Sequence, residues 1–393
     1  MVTFRARNVA VGAGLLGALL SVMAQAPEPM RIGFLSTQSG GPVAGLSTEK
    51  RQGWELALKQ LGGKLGGVPV EMFYADDANN PGMGKQSYER LVKQNKIDVL
   101  TGIVTTPVIF ALAPAVAQDK VIFLNSNVTE RVLGGEKCSP FFFTTGWHVD
   151  GINESMGKLL RQQGRKKVFV MGGQWPAGRE HIAAFKRGYG DTVAGEAYFK
   201  MGQIDFSAEI AQMRAAEPDA IYVFAFGPHS VNFMKQYAQA GLKRIPLYGP
   251  SPLADEGTIP ASGDAAMEVV SSGHWNDDLP TDANRRFVAA YVAEYKKDPT
   301  MFSEQGYTTA LLLDAAVRAA GGNFKDRAAL RKALLSVKVD APRGPLSLAA
   351  DGSPVQNVYL RKVGKNTKGE ITNLTQRTIA SSVTPDNAGE CKL

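Results

Sequence analysis

The stretch VLTGIVTTPVIF, Val99–Phe110, sets the pattern for the whole chain. An apolar run reaches Gly102, two threonines follow, and Pro107 opens a second apolar run with helical spacing. This predicts a strand, a tight turn and a helix. Pro107 suits the first helical turn, where its missing N–H is not needed, which puts Thr106 at the N-cap.

Working outward, the same alternation recurs on both sides. RIGFLS (31–36), VPVEMFYA (68–75), IDVLTGI (97–103) and VIFLNS (121–126) are short apolar runs bounded by turn residues. Thr48–Leu61, Gly84–Gln94 and Val108–Gln118 lie between them with helix-like spacing. The pattern restarts at KKVFVMG (166–172) and continues through AGEAYF (194–199), DAIYVFAF (219–226) and IPLYGP (245–250), with helices near 178–189, 205–216 and 229–240. Continuous apolar strands alternating with amphipathic helices predict parallel sheets covered on both faces. FFFTTGWHVDG and VVSSGHWNDD read as connectors. Helices are expected at 283–297, 305–320 and 326–337, then short strands in RGPLSL and QNVYLRKV. The expected fold class is α/β: two doubly wound parallel-sheet lobes joined by a multi-strand hinge, with a ligand cleft between them. Open α/β sheets bind ligands beyond the C-terminal ends of their strands, and two facing sheets can close on one ligand.

The chain has 393 residues, 44% hydrophobic and 21% charged, with a formal net charge of +7. These charges are scattered, without a run of five or six of one sign, which argues against nucleic-acid binding. Arg5 and Arg7 precede the apolar stretch Val9–Leu20 and the small residues of VMAQA (22–26). That order predicts a signal peptide over 1–24, cleaved near 24–26, and hence an exported, periplasmic protein. GAGLLG (12–17) matches a dinucleotide fingerprint in letters only, since it follows no strand. Two cysteines, Cys138 and Cys391, in an oxidising compartment suggest one disulfide, with two buried free thiols as the alternative.

No G-x-S-x-G, C-x-x-C, H-E-x-x-H or P-loop motif occurs, and the four histidines lack metal-ligand spacing. The sequence therefore points to a non-enzymatic protein without metal or cofactor. The candidate chemistry lies at strand ends. Thr105 and Thr106 end one strand, and Asn127 and Thr129 follow the next, giving hydroxyl and amide groups suited to a carboxylate. The second half places aromatics at its strand ends, Trp175 and Phe226, with Trp147, beside His148, and Phe302 in a connector or at a helix start. Such a set can stack on a flat apolar body.

Together, IGFLSTQSGGPVAGLS, YADDANNPGMG, TGIVTTPV, FLNSNVTERV, QAGLKRIPLYGP and DPTMFSEQGYTTALLLDAA resemble the periplasmic solute-binding proteins of the leucine/isoleucine/valine-binding type, which serve ABC importers. CSPFFFTTGWHVDG, SGHWNDDLP and the terminal CKL resemble the branch that takes aromatic and related carboxylic acids. The resemblance implies a monomer delivering a small-molecule carboxylate to membrane permease and ATPase subunits. It implies lobes at 30–145 plus 275–340 and at 146–274 plus 341–378, a tail at 379–393, and pairing of Cys138 with Cys391. It implies carboxylate contacts at Thr106, Asn127 and Thr129, a first-loop contact at Leu46, aromatic lids at Trp175 and Phe226, and an apolar contact at Phe302. The acid that pairs with an α-ammonium falls on Ser251, which disfavours an amino acid, because a buried unpaired ammonium costs several kcal/mol. Asp255, four residues on, is the one acid that would restore that pairing.

Overall fold

The structure, a computed structural model, describes residues 1–3, 28–39, 41, 43–385 and 389–392. The expected signal peptide lies outside them, apart from residues 1–3. The first half runs β1 (Met30–Ser36), α1 (Val43–Gln60), β2 (Lys64–Leu65), β3 (Val68–Asp76), α2 (Pro81–Lys93), β4 (Val99–Thr101), α3 (Thr106–Asp119), β5 (Ile122–Asn125), β6 (Val128–Thr129), α4 (Arg131–Gly134) and β7 (Phe142–Thr144). Its sheet has the order β2-β3-β1-β4-β5-β7 and is parallel apart from β2. The order reverses at β1, which is the doubly wound topology the alternation predicts.

The second half runs β8 (Trp147–His148), α5 (Val149–Gln162), β9 (Val168–Gly173), α6 (Pro176–Tyr189), β10 (Gly195–Phe199), α7 (Ser207–Ala215), β11 (Ala220–Val223), α8 (Pro228–Gln239), β12 (Leu247–Pro250), α9 (Thr258–Ser262) and β13 (Val270–Gly273). Three helices follow, α10 (Asp282–Tyr295), α11 (Met301–Ala319) and α12 (Arg327–Ser336), then β14 (Lys338–Ala341), β15 (Gly344–Leu348), β16 (Pro354–Lys365) and β17 (Ile371–Val383). The second sheet has the order β10-β9-β11-β12-β13-β16-β15-β14, with β17 on β16; it is parallel up to β13 and antiparallel beyond. The stretch VVSSGHWNDD is thus not only a connector, since β13 occupies its start.

Each sheet is covered on both faces. On the first, Trp54, Ala57, Leu313 and Val317 pack with Phe34 and Ile32 on one side, and Tyr88, Leu91, Ile109 and Leu112 with Leu100 and Phe123 on the other. Each such leucine, isoleucine, valine or phenylalanine, fully buried, contributes about 1.5–3 kcal/mol relative to exposure. Helices α1 and α11 cross backbone to backbone, because Gly53 meets Ser303 and Gly306 meets the carbonyl of Lys50, with no room for a Cβ at either glycine. That close crossing sets what lies beneath the first lobe's strand ends.

The lobes are joined by a buried polar hinge. Arg343, fully buried, donates through Nε to Glu304 at 2.8 Å, and through Nη1 to the carbonyls of Thr145 (3.0 Å) and Gly146 (2.6 Å) and to Gln356 Oε1 (3.0 Å). His274 Nε2 lies 3.7 Å from Glu304. One guanidinium thus ties together the chain leaving β7, the start of α11 and the start of β16. Cys138 and Cys391 form a disulfide with a Cα–Cα separation of 5.6 Å, tying the tail to the turn after α4. The Glu390 carboxylate adds an ion pair to Arg131 at 2.8 Å.

Candidate functional site

The C-terminal ends of β4 and β5 form the first wall. Helix α3 begins at Thr106, so the N-cap is Thr105, not Thr106 as the Pro107 argument predicts; the proline occupies the second helical position. Thr105 does not cap through its side chain, and its Oγ1 is buried without a hydrogen-bond partner. The Thr106 hydroxyl instead meets the buried carboxyl of Glu130. Desolvation, then the nearby Glu180 charge, push that carboxyl up to about 8.

Asn127 uses its side-chain amide on the carbonyl of Val104, and its backbone N–H donates to Asn125 Oδ1 at 3.2 Å. Thr129 is engaged twice: its Oγ1 accepts from Asn125 Nδ2 at 3.0 Å and is hydrogen-bonded to the Thr144 hydroxyl. Thr129 therefore braces the wall. Leu46 on α1 is half-buried in the apolar cluster that also holds Val104 and Phe302. Phe302, at the start of α11, lies 5.7 Å from the Nζ of Lys50. Leu46, Val104 and Phe302 thus stand together beside Thr105 and Asn127.

The second wall is aromatic. Trp175 caps α6 and lays its indole directly over Gly173, where any Cβ would overlap the ring. It meets Phe199 edge-on at 5.3 Å and Phe226 edge-on at 6.0 Å. Phe226 is 37% exposed although Trp175, Phe224 and His229 all lie within about 6 Å of its ring. His229 supports the pair, 6.1 Å from Trp175 and 5.6 Å from Phe226, with its Nε2 accepting from the N–H of Gly202 at 3.0 Å.

A hydrogen bond links the two lobes near these walls. The backbone N–H of Arg131, just beyond β6, donates to the Glu180 carboxylate in the first turns of α6. At the hinge end, Trp147 stacks on His274 at 6.4 Å and 15° and lies 5.6 Å from His181. His148 is not brought to this group. It caps α5, accepting from the N–H of Asp150 at 3.1 Å, and lines a small recess with Ile152, Pro354 and Val383. Burial, then Arg131 and Arg187, push its pKa down to about 3.

Ser251 is 1% exposed, its Oγ has no partner, and its carbonyl accepts from the buried Arg361 at 3.3 Å. Asp255 is occupied locally: Oδ1 accepts from the N–H groups of Gly257 (3.0 Å) and Thr258 (2.7 Å) at the start of α9. Burial, then Glu256, push its carboxyl up to about 7. Sequence reasoning passed over Lys50, His274 and Gln305, all fully or almost fully buried near these walls. The signal for Lys50 is faint: it lies between two small-residue turns of α1 at the glycine crossing with α11.

Comparison with known proteins adds the following. The family model described as periplasmic binding protein matches residues 29–369. The Leu/Ile/Val-binding protein homolog 6 of Brucella melitensis is 25% identical over 376 residues, covering 93% of this chain and 95% of that protein. An ABC-transporter solute-binding protein from R. palustris, solved in complex with benzoate, is 31% identical with a TM-score of 0.83, covering 93% of this chain and all of that one. A solute-binding protein from Rhodopseudomonas palustris BisB5, solved with 3,4-dihydroxy benzoic acid, is 28% identical with a TM-score of 0.82, covering 91% and 98% of the two chains. Among the described residues, no helix is long and apolar enough to cross a membrane.

Proposed function

The chain belongs to the periplasmic binding protein family, and we propose that it is the exported, monomeric, non-enzymatic binding subunit of an ABC importer, taking a small aromatic carboxylic acid in the cleft between its lobes. The carboxylate lies against Thr105, Thr106 and Asn127, and the ring is clamped by Trp175 and Phe226 from the lobe formed by 146–274 and 341–378. Closure of that lobe on the one formed by 30–145 and 275–340 makes the form that the permease and its ATPase receive. The observation that carries this reading is the pairing of a polar strand-end wall with the half-exposed Trp175–Phe226 pair, where Ser251 offers an α-ammonium no carboxylate. The benzoate and dihydroxybenzoate complexes of the two structural relatives support it.

The Leu/Ile/Val-binding name of the Brucella relative favours a second reading, an aliphatic amino-acid binder that uses Asp255. The occupation of Asp255 by two backbone N–H groups weighs against that. Titration calorimetry with benzoate, phenylacetate, phenylalanine and leucine separates the two. Tight binding of either ring acid, with the amino acids at least about tenfold weaker, a gap of roughly 1.4 kcal/mol, is expected. Preference for leucine or phenylalanine would return the site to the amino-acid class.

A further inference from the structure

Lys50 is fully buried on α1, at its crossing with α11. Its Nζ donates to the carbonyl of Ser126 at 3.0 Å and to that of Ile103 at 3.4 Å, and the Phe302 ring lies 5.7 Å away. Both carbonyls belong to the strand ends of the proposed carboxylate wall. Among the described residues no carboxylate lies within ion-pair distance of Lys50, whereas the other fully buried cations have one: Arg343 has Glu304, and Arg361 has Glu256 at 3.5 Å. A buried ammonium without a counter-ion is costly, and proteins do not keep one without a reason.

The surroundings repeat the imbalance. The charged and titratable groups facing Lys50 are Arg343, whose charge disfavours a second cation, and His274, which burial and the nearby cations hold neutral. Glu304, on α11, is already committed to Arg343. Burial and Arg343 together push the lysine well below its ordinary range. Around it, the hydroxyls of Ser47, Thr105 and Ser126 and both amide atoms of Gln305 are buried without hydrogen-bond partners. Ser47 is one helical turn before Lys50, and Gln305 one turn after Phe302.

We infer that Lys50 is the counter-charge of the ligand site: its ammonium, held behind the wall by the carbonyls of Ile103 and Ser126, selects a net anion over a zwitterion and takes up a proton as the anion binds. This rests on the reading that the ligand carboxylate occupies this wall. In the empty site the amine is disfavoured as a cation. An anion beside it raises its proton affinity, so –NH₂ gains H⁺ from solvent, and by linkage the affinity for the anion falls as pH rises. A zwitterion brings an ammonium as well as a carboxylate and gains less from the same field.

The test uses the full mature chain and benzoate as the probe, comparing wild type with Lys50→Met and with Lys50→Gln, in case the first fails to fold. Calorimetry in buffers of different ionisation enthalpy reads proton uptake. Wild type takes up a fraction of a proton, the variants none, and the variants lose about ten- to a hundredfold in affinity. Ligand-free melts supply a readout that a merely structural lysine would move the other way. The native lysine is depressed relative to the unfolded chain, so wild type gains stability as pH rises through the native value toward the unfolded one. Lys50→Met is at least as stable near pH 7 and lacks that gain. Benzoate affinity within about threefold of wild type, or a large loss of ligand-free stability in both variants, overturns the inference. A wild type that ignores benzoate counts against the ring-acid reading alone. Lys50 is then judged by the melts, and no change in their pH dependence overturns it.

Discussion

The two walls of the cleft are built from the same βα repeat, yet they manage their side chains in opposite ways. On the first lobe several polar groups are already occupied: Asn127 holds Val104, Thr129 holds Asn125 and Thr144, and Thr106 meets Glu130. On the second lobe the aromatic groups are left partly bare, with Phe226 37% exposed and Trp175 half-buried over a glycine. A hydrogen-bonding wall must be oriented before the ligand arrives, because an unpaired buried polar group is costly. An aromatic wall can wait in water at little cost and recover its area when the cleft shuts. On the proposed function, the first wall sets which head group is accepted, and the second sets which body is held.

The largest effect is expected where the two walls meet. Arg343→Met leaves Glu304 buried and unpaired, which should cost about 3–5 kcal/mol of stability, read as a lowered midpoint in urea. If the midpoint scarcely moves, the hinge network is not what holds the walls in register. Next comes Trp175→Ala, which should weaken a phenyl-bearing acid by about 2–3 kcal/mol while barely changing a short aliphatic acid. Equal losses for both acids would erase the contrast between the walls. The first wall then divides within itself. Thr105→Val should cost about 1–2 kcal/mol of ring-acid affinity with little change in melting temperature, whereas Thr129→Val should do the reverse, since only Thr129 is braced on both sides. Calorimetry beside a melting curve distinguishes them, and identical behaviour would mean that bracing and binding are not separate jobs.

The remaining effect concerns pH. Glu130 titrates near 8 when folded against a carboxyl's ordinary value when unfolded, so the native state binds the extra proton between the two. Stability therefore falls as pH rises through that window. Glu130→Gln should remove the fall, so that the variant gains on wild type as pH rises toward 8. A pH profile of the melting temperature that matches wild type would show that Glu130 is already ionised.

Much of this is legible in the sequence, for reasons that differ by region. Strands such as β1 and β9 are apolar runs because both faces of their sheets are covered, and the periodicity of their helices follows. Helix α5 is harder to read: Val149, Ile152, Met156, Leu159 and Leu160 keep helical spacing, but glycines and small polar residues stand between them. Gly151, Asn153, Ser155 and Gly157 are poor helix formers; Gly157 is needed because α5 and α6 touch backbone to backbone, where a Cβ on Gly157 would strike the carbonyl of Phe185 and one on Gly188 that of Glu154. Strand β17 is equally hidden, since it pairs along one edge only and carries exposed polar residues such as Gln376 and Arg377. At the site, Pro107 announces a helix start but not to the residue, and the cap shifts to Thr105. Lys50 reads as an ordinary helical lysine; only the packing of α11 across α1 removes it from water.

The contrast between buried and bare side chains also gives the molecule an optical property. Of its four tryptophans, Trp54, Trp147 and Trp275 are at most 2% exposed, while Trp175 alone is half-buried. The three enclosed indoles emit from surroundings already shielded from water. Emission from the fourth depends on whether the cleft is wet or shut around it. If Trp175 closes on the ligand as proposed, the intrinsic fluorescence of the unlabelled chain should change on titration chiefly through Trp175 losing its water.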